Sequence, residues 1–204
     1  VRLWASSADY RVDMRCSDAI FKQLSEKYLK IRNTARYILG NLQGFDPNKD
    51  TVPVDQMPEL DRWALSRLNA LVERCINAYE KYEFFGVTAA IHSFCVVDMS
   101  NFYLDVIKDR LYCDSRKSLS RRSAQTAIYQ VLDAMTRLLA PVLCFTADEI
   151  WLAMPHTEAE DARAVALNDM PETNAALRLS ESEEAHWSKV MRVRADVNKA
   201  LELA

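Results

Sequence analysis

The sequence of 204 residues contains only three glycines, Gly40, Gly44 and Gly86, and six prolines. Tight hairpins and phosphate-cradling loops need glycine, whereas the interior of an α-helix tolerates it poorly. Glycines at these three positions cannot form a glycine-rich nucleotide-binding motif. Because glycine is so scarce, we predict an all-α protein. Half of the residues are hydrophobic, so the chain can bury a sizeable core.

The five cysteines include no Cys-x-x-Cys pair. Four of them lie in apolar helical patterns, which is typical of reduced, buried thiols rather than of disulfides or a zinc site. The sequence has no signal peptide and no long apolar span, so we expect a soluble, cytoplasmic protein without a membrane partner. The formal net charge of −3 gives no overall attraction to nucleic acid, so such binding requires local basic patches.

Apolar residues recur with the period of an α-helix in four long segments. Pro58 suits the first turn of one of these helices, and Pro141 ends or kinks another. Thr-x-x-Glu at 146–149 and Ser-x-x-Glu at 180–183 predict capping boxes that open a short helix and a last helix. The expected fold is an antiparallel bundle of four to five long helices. Three of the four predicted long helices cover about 17–43, 87–112 and 119–140, and the fourth begins near residue 58.

Polar stretches divide the chain around this bundle. An arm at residues 1–16 precedes the bundle at 17–154, and an irregular connector at 155–180 leads to the last helix at 181–204. Within the connector, AVALND is a candidate short strand. The chain lacks an initiator methionine and stops inside a helical pattern, so we expect an excised segment whose last helix is truncated.

The most apolar and aromatic stretch, FCVVDMSNFYLDVIKDRLY, contains Asp98 and Asp105, seven positions apart. Seven residues return an α-helix to nearly the same azimuth, so we predict that both carboxylates lie on one face of a buried helix. Buried carboxylates need partners; Arg194 falls in the stripe of the last helix, and Arg62 and Arg67 are further candidates. We therefore interpret Asp98, Asp105 and Arg194 as structural buried charges.

The sequence offers little for catalysis or for metal binding. A di-metal site in a bundle needs two Glu-x-x-His pairs, and only Glu183–His186 has that spacing, in an exposed first turn. No nucleophile and no phosphate cradle accompany the two aspartates. We expect no metal and no catalytic residue here. A general acid/base pair, and hence a carboxylate-based bundle enzyme, is the alternative.

Basic and amide side chains collect, together with the ring of Tyr37, which we expect to be exposed, on the side of the first predicted helix that faces away from its apolar stripe. Such groups contact phosphates, read base edges and stack on unpaired bases. A second basic cluster lies in the loop CDSRKSLS and in the helix after it, where it can follow a nucleic-acid backbone. The alternative is a helical protein-interaction module whose basic clusters are solvated surface. The candidate RNA-binding residues are Lys30, Arg32, Asn33, Arg36, Tyr37, Arg116, Lys117, Arg121 and Arg122.

Long stretches that together span essentially the whole chain resemble the C-terminal helical region of isoleucyl-tRNA synthetases. The arm RLWASSADYRVD resembles the segment just after that family's Lys-Met-Ser-Lys-Ser loop. Valyl- and leucyl-tRNA synthetases share the architecture and are the alternatives. The stretches are KIRNTARYILGNL at 30–42, LDRWALSRLNAL at 60–71, YEFFGVTAAIHSFCVVDMSNFYLDVIKDRLY at 82–112, LLAPVLCFTADEIW at 138–151 and VRADVNKALELA at 193–204.

The resemblance implies an anticodon-binding domain that holds the anticodon stem-loop of isoleucine tRNA and is not catalytic alone. It implies that ATP, zinc, and the catalytic and editing domains belong to other parts of the parent chain, because His-Ile-Gly-His, Lys-Met-Ser-Lys-Ser and a cysteine quartet are absent here. No cofactor is expected in this segment, and a monomer is expected. Through NTARYILGN, the resemblance extends to methionyl enzymes and implies anticodon contacts by Asn33, Arg36 and Asn41.

Overall fold

The computed structural model describes residues 1–203, which form a bundle of helices without a β-strand in that range. The predicted all-α class is therefore confirmed. No helix within these residues is both long enough and apolar enough to cross a membrane. The helices are α1 (Arg2–Ser7), α2 (Asp18–Asn41), α3 (Glu59–Glu80), α4 (Phe84–Ser93), a π-helix (Phe94–Tyr103), α5 (Leu104–Val106), α6 (Lys108–Tyr112), α7 (Leu119–Leu139), α8 (Cys144–Ala153) and α9 (Glu181–Leu203), with 3-10 turns at Val54–Gln56, Val165–Leu167 and Ala175–Leu177.

The centre of the bundle is the contact between α3 and α7, around which α2, α4 and the π-helix pack. Leu65 of α3 and Leu132 of α7 are fully buried. Trp63 and Trp151 belong to this core, as their apolar patterns predict, and Trp187 lies half-buried against it. Burial of large apolar side chains at such a contact is the main favourable term in folding.

The ends of two helices follow directly from their sequences. Ser17 caps α2, where its Oγ accepts a hydrogen bond from the amide of Ile20. The capping box at the start of α9 is confirmed, because the Ser180 amide donates to Glu183 Oε2 at 2.9 Å and the Glu183 amide donates to Ser180 Oγ at 3.4 Å. Both caps satisfy amides that the first helical turn leaves unpaired.

The second predicted capping box, Thr146–Glu149, is wrong. Helix α8 begins earlier, at Cys144, and no side chain caps it. Thr146 lies inside the first turn instead, with its hydroxyl 3.1 Å from the Tyr28 hydroxyl. A tertiary contact with α2 therefore uses the hydroxyl that the local pattern assigns to a cap.

The arm and the connector are both attached to the bundle. Arg2 of α1 donates from Nε to the Val142 carbonyl at 2.8 Å. Arg137 of α7 forms an ion pair with Glu160 of the connector at 2.7 Å. The predicted strand AVALND is wrong, since Val165–Leu167 is a 3-10 turn.

The last helix packs on the bundle mainly over its first half. Trp187 and Met191 contact the core, whereas Val197 and Leu201 further along the same helix are exposed. The apolar stripe of α9 is therefore only partly covered within residues 1–203.

The predicted single α-helix at 87–112 is wrong in its middle. The helix begins at Phe84, passes through the π-helix Phe94–Tyr103, and continues as α5 and α6. A π-helix bonds each residue to the fifth along and has a wider turn than an α-helix. Seven residues therefore no longer return to the same azimuth, and Val97, inside the apolar stretch, is 57% exposed.

The thiols are more varied than predicted. Cys75 and Cys95 are buried, and burial raises the pKa of each thiol to about 12. Cys144 is partly exposed, and Cys16 and Cys113 are exposed. All five are free, but burial is confirmed for two of them only.

A buried carboxylate that the sequence does not reveal joins three parts of the fold. Asp61, in the first turn of α3, has no exposed surface. It accepts two bonds from the Arg110 guanidinium, at 2.8 and 2.6 Å, one from the Tyr103 hydroxyl at 2.7 Å and one from the Ser123 hydroxyl. Arg110 also donates to the Ser120 hydroxyl and carbonyl, so α3, α6 and α7 are held together at one point.

The Asp61 network predicts a large stability loss when the carboxylate is removed. Asp61→Ala should lower the free energy of unfolding by about 3–5 kcal/mol, because the Arg110 charge would stay buried without its partner. Urea denaturation followed by circular dichroism measures this change. Asp105→Ala, which breaks an ion pair on the surface, is the control and should leave the midpoint nearly unchanged. Similar midpoints for the two variants would contradict the prediction.

Candidate nucleic-acid interface

The outward face of α2 carries exposed cations, as its sequence predicts. Apolar side chains such as Ile31 and Ile38 face the core, which turns the opposite side of the helix to solvent. None of the cations on this face forms an ion pair among the residues that the structure describes. The predicted residues that are exposed here are Lys30, Arg32, Asn33 and Arg36.

Tyr37 and Asn41 are less available than predicted. The Tyr37 ring is half-buried, its hydroxyl is 3.5 Å from the Leu104 carbonyl, and burial raises its pKa. Asn41 uses its side-chain amide to donate to the Tyr37 carbonyl at 2.8 Å. The prediction of an outward, exposed Tyr37 ring is therefore wrong, because the ring lies against the helix that follows the π-helix.

Tyr112, rather than Tyr37, supplies an exposed aromatic ring next to the basic loop. It is 62% exposed at the end of α6, and its hydroxyl donates to the Tyr37 hydroxyl at 3.4 Å. Its position in the sequence, between the apolar segment and the basic loop, is a signal for this exposure, because a side chain at the end of a helix has fewer neighbours to cover it. A ring in this position can stack on an unpaired base.

The second basic cluster separates into two exposed and two structural residues. Arg116 and Lys117 are exposed in the loop before α7. Arg121 is partly buried and donates to the Asp114 carbonyl at 3.3 Å. Arg122 forms an ion pair with Asp50 at 3.2 Å, with its side chain only 16% exposed. Arg121 and Arg122 therefore hold the ends of loops, while Arg116 and Lys117 face solvent.

The two basic clusters lie at the same end of the bundle. Gln125 of α7 donates from Nε2 to the Asn41 carbonyl at 2.9 Å, and Arg122 donates to the Gly44 carbonyl at 3.1 Å. These bonds fix the C-terminal end of α2 against the start of α7. Positive charge from both clusters can therefore act on one extended polyanion.

Asp98 pairs with Arg67, one of the partners predicted for the two aspartates. Its carboxylate is 2.9 Å from Arg67 Nε of α3, and its side chain is 12% exposed. It borders a cleft of about 520 Å³ between α3, the π-helix and α9, which Trp187 and Arg194 also line. Asp98 therefore pairs with an arginine of a neighbouring helix rather than with a second carboxylate.

The predicted burial of Asp105 and Arg194 is wrong. The Asp105 side chain is 63% exposed and pairs with Lys108 at 2.6 Å, because the π-helix rotates it away from Asp98. Arg194 is half-buried, donates to the Asn101 carbonyl and lies 5.2 Å from the centre of the Phe102 ring. The two aspartates therefore do not share a site. Within residues 1–203 no three His, Cys, Asp or Glu side chains are grouped so that they could hold a metal ion.

Comparison with known families identifies the kind of domain to which this arrangement belongs. Residues 61–203 match the family described as the anticodon-binding domain of tRNA ligase. The matched segment starts at the buried carboxylate of α3 and covers well over half of the chain. The chain belongs to this family. Its helical bundle is therefore an anticodon-binding domain, in agreement with the family resemblance of its motifs.

Individual relatives extend the similarity over all 204 residues, so that α2 is included. The chain is 52% identical to an isoleucine–tRNA ligase of Syntrophotalea carbinolica, 50% to one of Caldicellulosiruptor saccharolyticus and 52% to one of Desulforamulus reducens. In each comparison all of this chain is covered, but only 22% of the relative. The chain thus corresponds to about a fifth of each curated relative.

The different roles of the arginines in the second basic cluster can be tested by measuring stability. Arg122→Gln should lower the free energy of unfolding by about 1–3 kcal/mol, because the Gly44 carbonyl and the Asp50 carboxylate lose their donor. Arg116→Gln, the matched control in the loop just before α7, should not change it measurably. Urea denaturation of both variants gives the comparison. Equal losses, or a larger loss for Arg116→Gln, would show that the assignment of structural and exposed roles is wrong.

Proposed function

We propose that this chain is the anticodon-binding domain of an isoleucine–tRNA ligase and that it binds the anticodon stem-loop of isoleucine tRNA. The observation that carries the proposal is the identity of about 50% with isoleucine–tRNA ligases over every residue of the chain. Relatives of this name favour isoleucine over the valyl and leucyl alternatives. The chain itself supports aminoacylation by binding and does not perform the chemical step.

The exposed groups at one end of the bundle suit an RNA hairpin loop. Lys30, Arg116 and Lys117 offer positive charges without carboxylate partners to the phosphates, which set the register of the RNA. Asn33 offers both a donor and an acceptor to a base edge, and Arg36, three residues further along α2, offers a planar guanidinium. Unpaired loop bases are the part of RNA whose edges such side chains can reach.

The buried ion pair at Asp61 keeps this surface in place during binding. Arg110 connects α6, which ends at Tyr112, to the start of α7. The loop with Arg116 and Lys117 lies between those two fixed points, so its ordering is largely achieved before RNA arrives. Binding by a preorganised surface loses less conformational entropy.

The other functions of the parent enzyme lie outside this chain in the proposal. Catalysis, editing, and the sites for ATP and zinc belong to the remaining four fifths of the ligase, and the catalytic and editing domains are partners within the same chain. The parent enzyme acts as a monomer in the cytoplasm. By holding the anticodon, this domain helps to position the distant acceptor end of the tRNA for aminoacylation.

Titration of a labelled hairpin tests the proposal. The chain should bind the anticodon stem-loop of isoleucine tRNA more tightly than the stem-loop of an unrelated tRNA at moderate salt, as measured by fluorescence anisotropy. Asn33→Ala should remove most of that preference, because the base edge loses its partner. Lys30→Gln should weaken binding to both hairpins and reduce the salt slope by about 0.7, the value for one phosphate of a single strand.

Lys199→Gln provides a matched control, since Lys199 is exposed on the far part of α9. This variant should bind both hairpins as the unmodified chain does. Equal affinity of the unmodified chain for the two hairpins would remove isoleucine specificity from the proposal. Absence of salt-dependent binding would instead support a helical module that interacts with proteins.

A further inference from the structure

A cluster of charged side chains attaches the connector to α7. Arg137 of α7 lies between two carboxylates: its Nε is 2.8 Å from Asp133 Oδ1, one turn earlier in the helix, and a terminal nitrogen is 2.7 Å from Glu160 Oε1 of the connector. The exposed fractions of the Asp133, Arg137 and Glu160 side chains are 21%, 15% and 10%. One cation therefore serves two largely covered carboxylates, and the cluster has an excess negative charge when all three groups are ionised.

The elements packed around the cluster do not offset this charge. The charged residues that line the adjoining cavity of about 370 Å³ are Asp133, Arg137 and Glu172, and the α3 side chains in its wall are uncharged. Helix α8 contributes the Trp151 ring, whose centre is 5.0 Å from the Arg137 guanidinium. Since a largely covered charge needs a counter-charge, a proton is the simplest group that can balance the cluster.

Glu160 is the carboxylate that stays ionised. Its Oε2 accepts hydrogen bonds from the Thr157 amide at 2.6 Å and from the Tyr129 hydroxyl at 3.1 Å. Burial opposes ionisation of Glu160, but the hydrogen bonds from Thr157 and the charge of Arg137 outweigh it and lower the pKa of this carboxyl. Burial raises the pKa of the Tyr129 hydroxyl, so this hydroxyl keeps its proton and remains a donor.

Asp133 is the carboxylate that takes up a proton first. Its hydrogen bond comes from Arg137 Nε at 2.8 Å. Burial raises the pKa of Asp133 to about 6, the charge of Glu160 adds to the increase, and Arg137 offsets only part of it. Where the environments of two neighbouring carboxyls move their pKa values apart, the one with the higher pKa holds the proton.

His156 is the other titratable group that faces Glu160. Its Nδ1 is buried, has no hydrogen-bond partner among residues 1–203 and lies 3.7 Å from Glu160 Oε2. Its Nε2 is 2.9 Å from the Trp151 carbonyl, which only accepts, so Nε2 carries a proton. A neutral His156 ring therefore donates nothing to Glu160, and its imidazole must be tested as a second proton site.

We propose that this cluster is a proton-operated clamp: in mildly acidic solution a proton on Asp133 tightens the attachment of the connector to α7, and its loss at higher pH loosens that attachment. A neutral Asp133 no longer repels Glu160, and Arg137 keeps Glu160 as its anionic partner in the cluster. The ion pair that joins α7 to the connector is then stronger. The protonated Asp133 carboxyl still has an oxygen that accepts from Arg137.

The direction of the pH dependence follows from the raised pKa of Asp133. This pKa is about 6 in the folded chain, against an ordinary value of 3.8. The stability that the proton contributes is therefore fully present below about pH 3.8 and is lost as the pH rises through about 6. The lowered pKa values of Glu160 and Asp161 remove stability only as the pH falls through the acidic range below about 4.5.

Asp133→Asn tests the clamp, because an amide of the same shape is neutral at every pH and still accepts from Arg137. At pH 7.5 this variant should unfold at a higher urea concentration than the unmodified chain, with a folding equilibrium constant about a hundred-fold larger. The difference should shrink as the pH falls through 6 and vanish toward pH 3.8. His92, whose lowered pKa acts in the opposite direction, is present in both proteins and cancels from the comparison.

Hydrogen exchange of the Thr157 amide reports the attachment itself, since this amide is bonded to Glu160. In the unmodified chain its protection factor should be larger at pH 5.5 than at pH 7.5, whereas in Asp133→Asn it should be large at both. The ¹³C shift of the Asp133 carboxyl, measured without any substitution, should titrate with a midpoint near pH 6.

Two further variants are the controls. Asp109→Asn makes the same chemical change at an exposed position of α6 and should alter neither the urea midpoint nor its pH dependence. In a His156→Gln background the effect of Asp133→Asn should persist. An Asp133 titration midpoint near 3.8, a gain from Asp133→Asn that does not vary with pH, or loss of that gain in the His156→Gln background would each overturn the clamp.

Discussion

Burial of the Asp61 carboxylate is the constraint on which the arrangement of this domain depends. A carboxylate without solvent must be matched by donors, since desolvating an ion costs several kcal/mol. Here the donors come from Tyr103, Arg110 and Ser123, which lie 42 to 62 residues away along the chain. The match can form only when the π-helix, α6 and α7 are in their native positions, so one polar contact specifies the relative placement of three elements.

This constraint also connects the core to the surface. Arg110 is bonded to Asp61 on one side and to Ser120 on the other, and the exposed loop with Arg116 and Lys117 lies between α6 and α7. The ends of that loop are therefore as fixed as the core. In α2, burial of the apolar side turns the cations on the opposite side of the helix toward solvent. Rigid support beneath a charged surface is what a preorganised RNA-binding site requires.

Much of the fold could be predicted from the sequence because its signals are local. The apolar period of α2 and the Ser180–Glu183 box involve residues within a few turns of one another, and both are confirmed. The outward position of Asn33 and Arg36 follows from the same period. The family resemblance of the motifs, confirmed by the match over residues 61–203, supplied the function that such patterns alone leave open.

The parts that could not be predicted depend on contacts distant in sequence. The shared face of Asp98 and Asp105 assumes α-helical geometry, and the π-helix between them changes it. Asp61 looks like an ordinary acidic residue in a first helical turn, where a carboxylate favours the helix dipole, and nothing nearby indicates its burial. The Tyr37 ring is half-buried because its hydroxyl meets the Leu104 carbonyl and the Tyr112 hydroxyl, contacts that no periodicity of either segment reveals.

The central claim is that the cationic and amide face of α2, with the adjoining loop, is the working surface, while the aspartate-bearing segment is framework. Mapping of amide chemical shifts in the ¹⁵N-labelled chain, with and without the anticodon stem-loop of isoleucine tRNA, tests it most directly. The account predicts that the largest changes fall at 30–36 and 112–118. Changes concentrated instead in the cleft beside Asp98, at 63–67 and 187–194, would contradict it.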